Sequence, residues 1–228
     1  MNEVIRQLAA RRSVRAFEDR DIPGEVRAAI LEAAAQAPTA GNQQLYTILD
    51  VTDPQLKARL AETCDHQPFI ATAPMVLIFL ADVCKWLDAY REAGCEPRAP
   101  GAGDVMLAAS DAAIAAQNAV TAAWSLGVGS CYIGDVMERC EEHREMLNLP
   151  PHVFPAAMLV LGYPTEQQAR RPKPSASTWW TSCAKTSTAA RTGRRCGGCS
   201  PGGAPCVGMT RGWTRFVSGS TTAIFRGR

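Results

Sequence analysis

Apolar residues recur along the chain with a period that switches between helical and extended spacing. Val4, Ile5, Leu8 and Ala9 share one stripe, predicting a short amphipathic helix over 3–11. A second helix is predicted over 24–36, with Pro23 at its start and Val26, Ile30, Leu31 and Ala34 on one face. Ala37-Pro38-Thr39-Ala40-Gly41-Asn42 breaks that pattern as a loop. Residues 46–51 read as a strand, 54–62 as a helix, and the unbroken apolar run 75–83 as a strand buried on both faces. The longest periodic segment is 105–126, an alanine-rich helix with Asp104 as N-cap and Gly127 just past its end. Its lack of charge predicts a place in the centre of the fold. A short strand at 130–133 follows. Asp135-x-x-Glu138 then reads as a capping box opening a polar helix to about Leu147, and 156–161 as a buried strand. Strands interspersed with helices predict a three-layer α+β or α/β domain.

Composition narrows the picture. A chain of 228 residues with 46% hydrophobic and 20% charged content can bury a sizeable core. The net charge of +2 hides a split: residues 175–228 contribute eight Lys/Arg and no Asp/Glu, leaving 16 basic and 22 acidic residues before them, a net of −6. An acidic body does not fit a nucleic-acid partner, which calls for basic residues gathered on one face. The N-terminal residues lack an apolar export core, and no apolar run reaches membrane-spanning length. A cytoplasmic protein with no membrane partner is expected. Of nine cysteines, five (Cys64, Cys84, Cys95, Cys131, Cys140) are scattered without zinc-ligand spacing, so reduced, packed thiols are expected and no metal site.

The candidate chemistry begins at Arg11-Arg12-Ser13-Val14-Arg15. Three guanidiniums and a hydroxyl within five residues match the oxygens of a phosphate. The same residues also suit a solvated basic helix end favoured by the macrodipole. The three histidines (His66, His143, His152) suggest no Ser-His-Asp arrangement. His66, beside Gln67, reads equally as a pocket or a surface residue. Tyr132 and Trp124 are expected in the core, with stacking on a bound ring as the second reading.

The sequence R-R-S-x-R-x-F, followed by A-P-T-x-x-N-x-Q from Ala37 to Gln44, resembles the nitroreductase family of FMN-dependent oxidoreductases. D-H-Q-P-F before a buried strand, G-x-G-S-C-Y-I-G at 127–134, L-G-Y-P at 161–164 and R-R-P-K at 170–173 extend the resemblance over residues 3 to about 174. The resemblance implies an α+β fold in three layers, with a central mixed sheet flanked by helices and FMN at a homodimer interface. It implies that Arg11 and Ser13, within the Arg11-Arg12-Ser13 cluster, hold the FMN phosphate and ribityl chain. Arg15 would lie beside the flavin N1/O2 edge, and Arg171 and Lys173 would close on the phosphate. Gln67 would contact the isoalloxazine, and Ile133 and Gly134 would approach N5. Pro38 and Thr39 would reach the flavin of the partner subunit. The implied activity is ping-pong: NADPH or NADH reduces FMN, which then reduces a nitroaromatic, quinone, flavin or similar small-molecule acceptor. No catalytic side chain is required, because the cofactor carries the chemistry.

Residues 175–228 break the resemblance. They hold no leucine and 25 Gly/Ser/Thr, with Trp179-Trp180 and Cys196-x-x-Cys199. Family members continue with an arm reading roughly D-x-V-x-E-N-x-Y-R. Read one base earlier, the codons of 179–189 allow V-D-x-V-C-E-N-x-Y-R. The expectation is a domain over 1–174 and a basic tail over 175–228, out of frame and largely disordered. Two other readings stand beside the enzyme: a non-catalytic flavin or nucleotide-binding protein, and an interaction module acting through the basic, Cys-containing tail. Turnover of NAD(P)H separates the first, and truncation at Pro174 the second.

Overall fold

A computed structural model describes residues 1–173, and 1–171 form one compact unit. Pro172 and Lys173 begin a second unit, and the expectations for the tail lie outside the described residues.

Among the described residues, four strands make the central sheet: β1 (Tyr46–Asp50), β2 (Met75–Asp82), β3 (Gly129–Ile133) and β4 (Val153–Gly162), ordered β1-β2-β4-β3. All three pairings are antiparallel, so the sheet expected to be mixed is antiparallel in its strands. The parallel element among the described residues is an isolated bridge between Ser13 and Ser130 on the free edge of β3.

The run 75–83 forms its strand because both of its faces find an apolar layer. Met75, Leu77, Phe79 and Ala81 point into one core cluster, and Val76, Ile78 and Leu80 into the other. Burying each large side chain contributes about 1.5–3 kcal/mol. The first layer is built from α2 (Gly24–Ala35) and α6 (Ala102–Ser125). Ala108, Ala112, Ala115, Ala116, Ala119 and Ala123 of α6 are fully buried, so α6 is central as its composition predicts. The opposite layer comprises α3 (Pro54–Thr63), α4 (Pro68–Thr72) and α7 (Cys140–Met146).

The remaining helices are α1 (Glu3–Ala10), α5 (Cys84–Glu92) and α8 (Glu166–Arg170). Neither α4, α5 nor α8 is evident from apolar spacing. Helix α6 starts earlier than expected: its N-cap is Gly101, and Asp104 sits in the first turn, accepting the Gly101 N–H at 2.7 Å while paired with Arg98. Gly127 terminates the helix with φ +78°, as its position suggests. The polar helix expected from Asp135 is broken. Residues Asp135–Met137 form a 3-10 turn, Arg139 leaves helical geometry, and α7 begins at Cys140. The Asp135 carboxylate receives the side chain of Gln67 instead of capping its own helix.

Candidate functional site

The basic segment Arg11–Arg15 follows α1 and runs along the outer edge of β3. The Val14 N–H donates to the Ser130 carbonyl at 2.9 Å, and farther on Glu18 N–H donates to Tyr163 O and Thr165 N–H to Ala16 O. Two glycines let the segment lie this close. A Cβ on Gly129 would stand 2.5 Å from a Val14 methyl, and one on Gly162 would stand 2.7 Å from the Phe17 ring.

Side chains alternate along this extended piece. Ser13 and Arg15 turn toward the buried Cys131 thiol: burial pushes that thiol up, while the charge of Arg15, hydrogen bonds from Ser13 and Arg15, and the charge of Arg11 work against it. Arg11 also acts on Tyr132, whose hydroxyl partial burial pushes up to about 12. Arg11, Ser13 and Arg15 are thus gathered along the middle of β3.

Arg12 takes the other side. Its guanidinium lies 6.0 Å from the centroid of the Trp124 ring and donates to the Arg171 carbonyl at 2.5 Å. Its Nε is buried and has no hydrogen-bond partner among the described residues. Arg171 is thereby brought to the segment through its backbone, with its side chain exposed. Lys173 belongs to the second unit.

At the far end of β3, Ile133 is buried and Gly134 is exposed, with no heavy atom within 4 Å of where a Cβ would stand. Beside this opening, the Gln67 side-chain amide donates to Cys64 O and to Asp135 Oδ2, both at 2.9 Å. His66 is exposed, in the left-handed region at φ +52°. Tyr132, expected in the core, is 38% exposed because it points away from the α3–α4 layer on an edge strand. Trp124 is half-buried beneath Arg12.

Pro38 and Thr39 are not part of this cluster. Their loop leads into β1, at the opposite edge of the sheet, three strand spacings or roughly 14 Å from β3. The loop is fixed by Asp111 of α6, only 3% exposed, whose two oxygens accept the N–H groups of Ala40 at 3.0 Å and Leu45 at 3.2 Å. Trp86 Nε1 adds a hydrogen bond to Gln43 O at 2.7 Å. Beside the same loop opens a cavity of about 480 Å³, walled by Leu45, Trp86, Tyr90, Leu107 and the Arg98–Asp104 pair. Sequence reading missed the role of Asp111. The signal was there: a lone carboxylate on the otherwise alanine-lined buried stripe of α6.

The arrangement has relatives. Residues 8–163 match the family model described as the nitroreductase family. The FMN reductase [NAD(P)H] of Bacillus subtilis is 37% identical over 176 residues, 76% of this chain and 70% of the relative. The oxygen-insensitive NADPH nitroreductase of Salmonella typhimurium is 33% identical over 173 residues, again 76% and 70%. Among solved structures, the NADPH:FMN oxidoreductase from Vibrio harveyi complexed with NAD+ aligns with a TM-score of 0.75 at 26% identity, covering 83% of this chain and 80% of that one. With the family model spanning more than half of its length, the chain belongs to the nitroreductase family.

Proposed function

We propose that the chain passes hydride equivalents from NADPH or NADH to a nitroaromatic, quinone, flavin or similar acceptor, by a ping-pong scheme. It is an FMN-dependent NAD(P)H oxidoreductase, in keeping with its family and with the names of its relatives. The observation that carries the finer reading is the gathering of Arg11, Ser13 and Arg15 along β3, the strand that leads to the exposed Gly134.

The residues fit FMN. The guanidinium of Arg11 and the hydroxyl of Ser13 are donors that suit the phosphate. Gly134 is exposed and has no side chain to obstruct a ring, and the Gln67 carboxamide is bonded to the next residue, Asp135. FMN, when bound, supplies the hydride-accepting and hydride-donating chemistry. The protein's part is positional and electrostatic. Arg11 and Ser13 would hold the phosphate and ribityl chain, with Arg171 closing on them. Arg15 would set a positive charge beside the ring and favour its reduced, anionic state. Gln67, Ile133 and Gly134 would line the ring.

A homodimer completes this reading. Pro38 and Thr39 lie at the edge of the sheet away from Arg11–Arg15, so within one chain they do not share the site. Apolar side chains stay exposed on α1 (Val4, Ile5, Leu8) and on the outer face of α6, where Met106 is 70% exposed alongside Leu107 and Ile114. A second copy covering them would bring its own Thr39 loop to the flavin. The cavity beside that loop offers aromatic walls to a planar acceptor.

The test is direct. The purified protein is expected to show flavin absorption bands, to oxidise NAD(P)H with a quinone or nitroaromatic, and to give parallel double-reciprocal plots. A protein that neither retains nor takes up FMN would overturn the reading.

A further inference from the structure

Two short segments carry the residues proposed to flank the flavin ring: 63–67, ending at Gln67, and 134–137, beginning at Gly134. On the solvent side they are joined by the Gln67 amide, shared between Cys64 O and Asp135 Oδ2. Beneath the surface they are joined a second time by His143 of α7, which is 0% exposed. Its Nδ1 lies 2.8 Å from the Val136 carbonyl, and its Nε2 lies 2.8 Å from the Thr63 hydroxyl and 3.8 Å from Cys64 Sγ.

The hydrogen-bond network assigns the tautomer. A carbonyl only accepts, so Nδ1 carries the proton and donates to Val136 O, while Nε2 pairs with the Thr63 hydroxyl. The Thr63 hydroxyl also lies 3.0 Å from Arg59 O. Without the imidazole the Thr63 hydroxyl would keep only partners on its own helix, and the Val136 carbonyl would lose its side-chain partner. The ring is therefore a rigid spacer of fixed length. It runs from the last residue of α3 to the turn that follows Gly134.

From this geometry we infer that His143 is a positioning residue: it sets the gap between Gln67 and Gly134, and so the seat of the flavin ring, while touching neither. The inference rests on the flavin reading above. Hydride transfer is sensitive to placement, and a shift of about 1 Å at a reacting centre costs on the order of a hundredfold in rate. A histidine that served only to fill the core would stabilise the fold without affecting the bound flavin.

The test uses the full chain with FMN bound, and the apo protein for hydrogen exchange. His143→Leu removes both bonds, while His143→Asn keeps a donor near the Nδ1 position. His143→Leu is expected to move the flavin's visible absorption maxima and its reduction potential, and to lower kcat by roughly ten- to a hundredfold. The ratio of FMN to riboflavin affinity stays unchanged, because the phosphate contacts are untouched. His143→Asn recovers part of each change. In the apo protein, amide exchange over 134–137 speeds up in His143→Leu. The double variant with Gln67→Ala shows less than the sum of the single effects, because both residues join the same two segments. A folded His143→Leu with unchanged spectrum and potential, alongside a Gln67→Ala that shifts both, would overturn the inference. Should His143→Leu fail to fold, His143→Asn is judged by the same criteria. If Gln67→Ala leaves the flavin unmoved as well, the placement of the ring at Gln67 is what fails, and this inference falls with it. The apo exchange result then shows separately whether His143 ties the segments.

Discussion

The ring of Phe17 fills the space that a side chain on Gly162 would need, and Val14 does the same at Gly129. These two contacts seat the basic segment on the sheet, so its aim depends on residues that carry no side chain. Gly129→Ala and Gly162→Ala are each expected to cost about 1–3 kcal/mol through overpacking. Both should also weaken FMN binding, because Arg11, Ser13 and Arg15 move with Val14 and Phe17. Chemical denaturation and flavin titration of the same variants check the pair of effects.

Arg11→Ala should weaken FMN by roughly ten- to a hundredfold, since a charge-assisted contact is worth about 1.5–3 kcal/mol. Riboflavin, which has no phosphate, should lose little. Equal losses for the two ligands would place Arg11 away from the phosphate.

Arg15→Gln should leave occupancy by oxidised FMN nearly intact and lower the reduction potential of the bound flavin. A cation beside the ring favours the anionic reduced state over the neutral oxidised one, so its removal favours the oxidised form. Potentiometric titration of the holoenzyme reads this out, and an unchanged potential argues for a solvated Arg15.

Asp111→Ala leaves the N–H groups of Ala40 and Leu45 without their acceptor. Two orphaned donors cost about 2–6 kcal/mol, so the variant should unfold at markedly lower urea concentration. The Thr39 loop should also exchange its amides faster, and the dimer proposed above should dissociate at higher protein concentration, as analytical ultracentrifugation would show.

Burial, and next the nearby Asp135, push the Cys64 thiol from its ordinary value of 9.0 up to about 12. Because the folded state holds the proton more tightly, this stabilisation is complete below about pH 9 and is lost as pH climbs toward 12. Alkylation at pH 8, followed by peptide mapping, should modify the exposed Cys95 and spare the buried Cys64 and Cys131. Stability measured between pH 9 and 11 should fall more steeply in the parent than in Cys64→Ala.

How much of this was legible in the sequence depended on the range of the forces involved. The run 75–83 reads as a strand because both of its faces are apolar, and α6 reads as a central helix because alanine spacing records its packing directly. The segment Arg11–Arg15 stands out by its own charge. Asp111 shows locally as a lone carboxylate on a buried stripe, but its partners, 66 and 71 residues away, do not show, and neither does the Thr63 hydroxyl that His143 meets 80 residues away. The Asp135–Glu138 spacing misleads for the same reason: a distant glutamine takes the carboxylate that local reasoning assigns to a cap. Tyr132 is misplaced because nothing in its neighbours' spacing tells that β3 is an edge strand.

The strand order also bears on synthesis. β4 is the last of the described strands to be translated, yet it lies between β2 and β3. A nascent chain halted before residue 153 therefore holds a β1–β2 pair with one apolar edge unmet, and β3 with no strand to join. Val14 and Phe17 meanwhile wait for glycines on β3 and β4, so a segment made before the sheet is fixed only after it. Such late closure lengthens the time during which an open edge is presented to other chains, which predicts a dependence on chaperones during expression. Slowing translation ahead of residue 153 should prolong that exposure and lower the soluble yield.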